Sequence, residues 1–210
     1  MKIALINENS QAGKNELIYK ELKTAAEKAG HRVYNYGMYS TADKRQLTYV
    51  QNGLLASILL TTKAADFVVT GCGTGEGAMI AANSFPNVIC GHVVNGQDAY
   101  LFGQINDGNA VSIPFAQNFG WGGEINLRYL FERLFSEPFG GGYPKDRVVA
   151  EQSNKKILDN IKKITYRPLL TILKEIDQDF LKRAIDDKNF VEYFYPNSQD
   201  AEIADYLKSL

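Results

Sequence analysis

The segment that most constrains this chain covers residues 66–91 and contains a glycine-dense turn between two apolar runs. Residues 67–70 are apolar and rich in β-branched side chains, which predicts a buried strand. The turn GCGTGEG follows, then a short run of small residues at helical spacing, then a second apolar run at 88–90. The order predicts a strand, a turn, a helix that starts inside the turn, and a second strand.

Apolar runs alternate with helical patterns over the first two thirds of the chain. Strands are expected at 2–6, 32–36, 67–70, 88–90 and 110–113, and helices around 17–29, 47–59, 98–105 and 124–135. Successive strand–helix units favour a parallel sheet whose two faces are covered by helices. The predicted fold class is α/β, a five-stranded parallel sheet with helices on both faces, plus a helical C-terminal extension.

The composition changes after Phe139, where a glycine-rich segment leads into charged helical patterns. We therefore predict an α/β domain at 1–139, and a glycine-rich hinge with a helical extension at 140–210. Helices in the extension are expected at 155–164, 169–176, 180–185 and 203–207. This extension should pack on the core or on a second subunit.

Charge and cysteine content exclude several classes of partner. The formal net charge of −1 gives no attraction to nucleic acid or to anionic membranes. Two cysteines, Cys72 and Cys90, are too few for a disulfide framework and suit a reducing compartment. No apolar run is long enough for a membrane span or a signal peptide. We expect a soluble, cytoplasmic protein.

The turn places the thiol of Cys72 and the carboxylate of Glu76 within five residues. The start of a helix leaves backbone N–H groups unpaired and carries a partial positive charge, which favours anions and a thiolate. A cysteine is otherwise often a small core residue, and an acid in the first helical turn is favoured structurally. Cys90, within an apolar strand, is expected to be such a core residue.

The turn also contains the spacing G-x-G-x-x-A, which is compatible with dinucleotide binding. That fingerprint belongs after the first strand and needs an acid at the end of the next one. Here it follows the third predicted strand, and the next strand ends Cys90-Gly91-His92. His31 and His92 are too few and too far apart to indicate a zinc site. We predict neither a nucleotide cofactor nor a metal.

The segment GCGTGEGAMIAANSFPNV resembles the signature of the ribose-5-phosphate isomerase B and galactose-6-phosphate isomerase family. The resemblance continues through QINDGNAVSI (104–113) and GGGYPKDR (140–147), and covers about residues 1–150. It implies a Rossmann-like domain, a homodimer or tetramer with shared active sites, and no cofactor. The implied activity is aldose–ketose isomerisation of a small sugar derivative through an enediol.

The resemblance also implies residue roles. Members use either a cysteine at the position of Cys72 or a glutamate at that of Glu76 as the base, and because this chain has both, the base stays open. Asn106 would position a substrate hydroxyl, and Glu8 or a water would move the hydroxyl proton. The turn would hold the enediolate oxygen through Thr74, Gly73, Gly75 and Gly77.

Three departures from the family pattern concern substrate chemistry. The family's Asp-His after the first strand is Glu8-Asn9 here, and the histidine that opens the sugar ring falls at Ile105. Two arginines that grip the phosphate fall at Ala116 and Tyr143. Losing charge-assisted bonds argues against a dianionic phosphate, and losing the ring opener argues for an open-chain substrate.

Arg147, the family arginine that is kept, could pair with a single carboxylate, and Tyr143 and Asn9 could add neutral hydrogen bonds. These features fit a subgroup that isomerises 4-deoxy-5-keto-uronic acids from unsaturated uronate fragments, whose opening segment and helical extension also look similar. One alternative is a ribose 5-phosphate or galactose 6-phosphate isomerase in which Lys145 or Arg128 replaces the missing arginines. The other alternative is a non-catalytic sugar-binding relative.

Overall fold

The computed structural model describes residues 1–210 and contains one parallel sheet of five strands. The strands are β1 (Lys2–Asn7), β2 (Arg32–Asn35), β3 (Phe67–Cys72), β4 (Cys90–His92) and β5 (Ala110–Pro114). Their order across the sheet is β2-β1-β3-β5-β4. The first five helices are α1 (Asn15–Lys28), α2 (Tyr49–Thr61), α3 (Glu76–Asn83), α4 (Gly96–Leu101) and α5 (Gly123–Leu134). The predicted Rossmann-like α/β fold is confirmed.

Two hydrophobic cores lie on opposite faces of the sheet. Because side chains alternate along a strand, β1 sends Ile3 and Leu5 into one core and Ala4 and Ile6 into the other. The first core is shared with α1 and α5, and the second with α2. The continuous apolar runs of β1 and β3 thus correspond to strands that are buried on both faces.

The C-terminal extension contains five helices: α6 (Val148–Thr165), α7 (Leu169–Glu175), α8 (Gln178–Ile185), α9 (Lys188–Asn197) and α10 (Ala201–Lys208). Helices α7 and α8 pack on α2, and apolar side chains of all four helices α7–α10 join its core, among them Leu173, Leu181, Phe194 and Leu207. This explains why α2 is buried over nearly its whole length. By contrast, α6 has no buried residue along its 18 positions.

Several boundaries differ from the sequence prediction for local reasons. The ladder of β4 begins at Cys90 because the N–H of Ile89 donates to Asn109 Oδ1 at 2.7 Å instead of to a strand. The helix expected at 98–105 divides into α4 and a π-helical turn, Phe102–Asn106. Helix α6 begins at Val148 rather than at 155, and α9 was not predicted.

The carboxyl ends of β1 and β3 lie side by side, with Asn7 opposite Gly71. After β1 the chain moves to β2 on one side, and after β2 it crosses to β3 on the other. Open parallel sheets bind ligands at such a switch point, beyond the carboxyl ends of the strands. None of the helices has the length and apolar character needed to cross a membrane.

Candidate active site

Cys72 is the last residue of β3 and lies opposite Pro114 of β5. Its carbonyl accepts a hydrogen bond from Phe115 N at 2.9 Å, and Gly73 O accepts one from Ala116 N at 2.9 Å. Nine per cent of the Cys72 surface is exposed. The backbone of Cys72 is therefore held by β5 and the segment after it, at the edge of the sheet where the switch point lies.

The turn closes on Gly75, the residue before α3, which has a left-handed backbone (φ 78°). A Cβ placed on Gly75 would lie 2.8 Å from His92 Nε2 and 2.9 Å from the carbonyl carbon of Ile113. His92 Nε2 is 2.9 Å from Thr74 O, and Ser112 Oγ donates to Gly75 O at 2.5 Å. The imidazole N–H donates in that pair, which requires a proton on Nε2. His92 and Ser112, neither of them singled out for the site from sequence, thus fix the turn.

Helix α3 starts at Glu76, so the two candidate bases stand at the two ends of the turn. Glu76 and Thr74 are exposed, whereas Cys72 is buried. Glu76 N donates to Thr74 Oγ1 at 3.4 Å, and a Cβ on Gly77 would lie 3.5 Å from the Tyr49 ring. The turn therefore presents one protected thiol and one solvent-facing carboxylate.

Glu8 follows β1 and is 4% exposed. Its carboxylate accepts hydrogen bonds from Ser10 N at 3.0 Å and from Ser10 Oγ, and so caps the 3-10 helix Asn9–Lys14. Asn9 has an exposed side chain, and its backbone N–H donates to Leu47 O at 2.7 Å. Glu8 follows β1 and Cys72 ends β3, so both lie at the carboxyl ends of two paired strands. Paired strands lie about 4.8 Å apart.

Three other residues predicted for the site are not bonded to the glycine turn: Asn106, Tyr143 and Arg147. Asn106 ends the π-helical turn that precedes the amino end of β5, and it lines a cleft of about 630 Å³ together with His92 and α6. Tyr143 N donates to Glu151 at 3.2 Å, and the side chains of Tyr143 and Arg147 are exposed. No hydrogen bond or ion pair joins these three residues to Cys72, Glu76 or Glu8.

Cys90 and the histidines do not form a metal site. Burial raises the pKa of the Cys90 thiol to about 12, and the side chain belongs to the core that includes α2, as its position in an apolar strand predicts. His31 lies beside the amino terminus, 3.2 Å from Met1 N. No group of three His, Cys, Asp or Glu side chains is close enough to hold an ion.

A family model described as Ribose/Galactose Isomerase matches residues 3–150. The chain belongs to the ribose/galactose isomerase family. A second model, described as Ribose-5-phosphate isomerase, matches residues 164–210. No curated protein matches the chain. The family resemblance inferred from the glycine turn is therefore confirmed.

Two solved structures match this isomerase over its whole length. One is a 4-deoxy-L-threo-5-hexosulose-uronate ketol-isomerase complexed with a tartrate. That protein is 64% identical to this chain, and the match covers 100% of this chain and 98% of that one with a TM-score of 0.97. The other is a ribose-5-phosphate isomerase from Vibrio parahaemolyticus, 48% identical with the same coverage and a TM-score of 0.96. A ribose 5-phosphate isomerase from Thermotoga maritima, at 23% identity, covers 71% of this chain and 96% of its own with a TM-score of 0.55, and shows the fold alone. The chain is an aldose–ketose isomerase, as predicted.

Proposed function

We propose that this isomerase interconverts the aldose and ketose forms of an open-chain 4-deoxy-5-keto-uronic acid, without a cofactor. The full-length similarity to a 4-deoxy-L-threo-5-hexosulose-uronate ketol-isomerase carries the proposal. Two positions support it. Ile105, where the family has its ring-opening histidine, cannot transfer a proton. Ala116, where the family has an arginine, offers only a methyl group, 3.8 Å from a Cβ placed on Gly73.

The proposed mechanism is a proton transfer between adjacent carbons. Cys72 thiolate or Glu76 removes the proton from the carbon next to the carbonyl, and the electron pair forms the enediolate double bond while charge moves to the carbonyl oxygen. The same base returns the proton to the former carbonyl carbon. Glu8 or a water takes the proton from the neighbouring hydroxyl as the new carbonyl forms, and delivers it to the original carbonyl oxygen, which becomes the new hydroxyl.

The glycine turn would stabilise the enediolate. Backbone N–H groups at the start of α3 point beyond the helix end and need no reorganisation when charge develops. Preorganised donors of this kind lower the barrier because they are already oriented in the resting protein. The groups assigned to this role are Thr74 and the amides of Gly73, Gly75 and Gly77, with Asn106 positioning a hydroxyl.

The test is turnover of purified protein on a panel of deoxy-keto-uronates and sugar phosphates. A phosphate site without two of its arginines loses about 1.5–3 kcal/mol per missing bond, roughly tenfold to a hundredfold each. We expect kcat/KM for the keto-uronate to exceed that for ribose 5-phosphate or galactose 6-phosphate by at least about a hundredfold. Efficient isomerisation of ribose 5-phosphate without uronate turnover would reverse the substrate assignment.

The sugar-phosphate alternative has the similarity to the Vibrio enzyme in its favour. It needs replacement cations, and the two that the sequence suggested are already engaged. Lys145 Nζ lies 2.6 Å from Glu137 Oε2, and Arg128 Nε lies 2.9 Å from Glu21 Oε2. A non-catalytic relative would exchange no carbon-bound proton with deuterated water in the presence of any sugar of the panel.

We further propose that the protein is a homodimer, or a tetramer, with shared active sites. In a single chain, no hydrogen bond or ion pair joins Asn106, Tyr143 or Arg147 to the turn, which would be explained if a second copy supplied them. Helix α6 exposes Val149 (79%), Ile157 (55%), Ile161 (48%) and Ile164 (83%). The last three are spaced i, i+4, i+7 and share one helix face. Contact with a second copy would remove this apolar face from water and so stabilise a dimer.

Ile161→Glu tests the self-association, with Lys156→Gln on the same helix as the control that lowers the net charge by the same one unit. Mass measured by light scattering should fall to that of one chain in Ile161→Glu only, and activity should fall with it. An unchanged mass would remove α6 from the interface.

We also propose that residues 1–139 form the isomerase domain and 140–210 its extension. We propose further that the protein is cytoplasmic, since both cysteines are free thiols.

A further inference from the structure

Lys14 carries an ammonium group at the carboxyl edge of the sheet, close to the glycine turn. It is the last residue of the 3-10 helix that follows β1. Its Nζ donates to Gln11 Oε1 at 2.8 Å and to Phe115 O, and lies 4.5 Å from the centre of the Phe119 ring. An ammonium has three N–H donors, so two have protein partners and one stays available.

The position is unfavourable for a cation in the free protein. Lys14 is the N-cap of α1, where Ser, Thr, Asp or Asn is preferred and where the helix dipole repels positive charge. No carboxylate lies within 4.0 Å of its Nζ, and both oxygen partners are neutral. Burial lowers the pKa of Lys14. A residue that violates local preference without compensation is characteristic of functional sites.

Short hydrogen-bonded paths connect Lys14 to the proposed catalytic groups. Phe115, whose carbonyl accepts from Lys14, donates its N–H to Cys72 O at 2.9 Å. On the other side, Gln11 Nε2 donates to Ser10 Oγ at 3.0 Å, and Ser10 donates to Glu8. Gln11 Nε2 also lies 3.8 Å from a Cβ placed on Gly73. The ammonium therefore contacts two residues, Phe115 and Gln11, that each lie next to the glycine turn.

We propose that Lys14 binds the carboxylate of the substrate, through the N–H that the protein leaves free. This inference rests on the proposed function and adds a binding group within the same chain as the turn. A partly buried ammonium pairs more strongly with an anion than a fully exposed one, because less water screens the pair. A carboxylate has two oxygens, so Lys14 and Arg147 of a second copy could each bind one of them.

The experiment measures binding of tartrate, a hydroxylated dicarboxylate, by titration calorimetry, and substrate kinetics with the same proteins. Lys14→Gln should lose at least about tenfold in tartrate affinity and raise the KM for the keto-uronate by about ten- to a hundredfold, with kcat within threefold. Lys14→Met keeps an unbranched side chain, one atom shorter, and removes the ammonium, and should behave in the same way. Lys14→Arg should recover most of the affinity. The control is Lys20→Gln, which removes an exposed lysine of α1.

Unchanged tartrate affinity in Lys14→Gln and Lys14→Met would overturn the proposal, and so would a wild-type protein that binds no tartrate. A drop in kcat at constant KM would also overturn it, because Lys14 would then act on the reacting carbons and not on the carboxylate. Tartrate binding needs no turnover. Lys14-dependent binding without uronate isomerisation would therefore support the carboxylate site and reject the proposed substrate.

Discussion

Gly75→Ala should destabilise the protein because the turn leaves no room for a methyl group. The left-handed backbone at φ 78° costs a non-glycine residue about 1–2 kcal/mol. The added Cβ would stand 2.8 Å from His92 Nε2 and 2.9 Å from a backbone carbon of Ile113. Overpacking of this kind costs about 1–3 kcal/mol, so the expected loss is about 2–5 kcal/mol in free energy of unfolding.

The assay is urea unfolding followed by circular dichroism, with Gly77→Ala as the matched control. At Gly77, inside the first turn of α3, a Cβ would make an ordinary contact at 3.5 Å with the Tyr49 ring. Alanine also favours the helix by up to about 1 kcal/mol relative to glycine. The urea midpoint of Gly77→Ala should therefore be unchanged or higher. An unchanged midpoint in Gly75→Ala, or equal losses in the two variants, would refute the geometry of the turn.

Four other outcomes are expected. Of Cys72→Ala and Glu76→Gln, the variant that lacks the base should lose at least about two orders of magnitude in kcat, and two active variants would contradict the site assignment. Asp187→Ala should lower the free energy of unfolding by about 3–5 kcal/mol, because it leaves the buried Arg45 without its carboxylate; a loss below about 1 kcal/mol, the scale of a surface pair, would contradict this. Activity should survive exhaustive chelator treatment, and activity that disappears and returns with a divalent metal would contradict the prediction that the reaction needs no metal. Arg147→Ala should raise the KM for the keto-uronate, as measured by initial rates; an unchanged KM would remove Arg147 from substrate binding.

The fold was predictable from sequence where hydrophobic periodicity and burial agree. The apolar runs of β1, β3 and β5 are buried on both faces, so the pattern and the structure coincide. The prediction was wrong where a long-range bond decides the local structure, as when the bond from Ile89 N to Asn109 lies just before the start of β4. Helix α9 was missed because its aromatic residues favour strands by propensity, while the cap at Asp187 and the packing of Phe190 and Phe194 make it helical.

The site was partly predictable, since the turn residues are contiguous in sequence and resemble a known signature. Lys14, His92 and Ser112 were not predicted as site residues. His92 and Ser112 contact the turn, and Lys14 contacts Phe115 beside it, in a sheet where β5 lies between β3 and β4; sequence order alone would place β4 beside β3. A lone lysine at a helix start has no sequence signal except its conflict with N-cap preference.

The extension affects the candidate site although it contains none of the residues assigned to proton transfer. Asp187 accepts from Tyr39 at 2.7 Å and pairs with Arg45, which also donates to Ala184 O at 3.0 Å. These contacts fix the loop between β2 and α2 against α8 and α9. Carbonyl groups of that loop, at Gly37 and Leu47, accept the N–H groups of Asn7 and Asn9 on either side of Glu8. The C-terminal helices therefore hold the end of β1 through the loop, and the position of Glu8 relative to Cys72 depends on residues more than a hundred positions away in sequence.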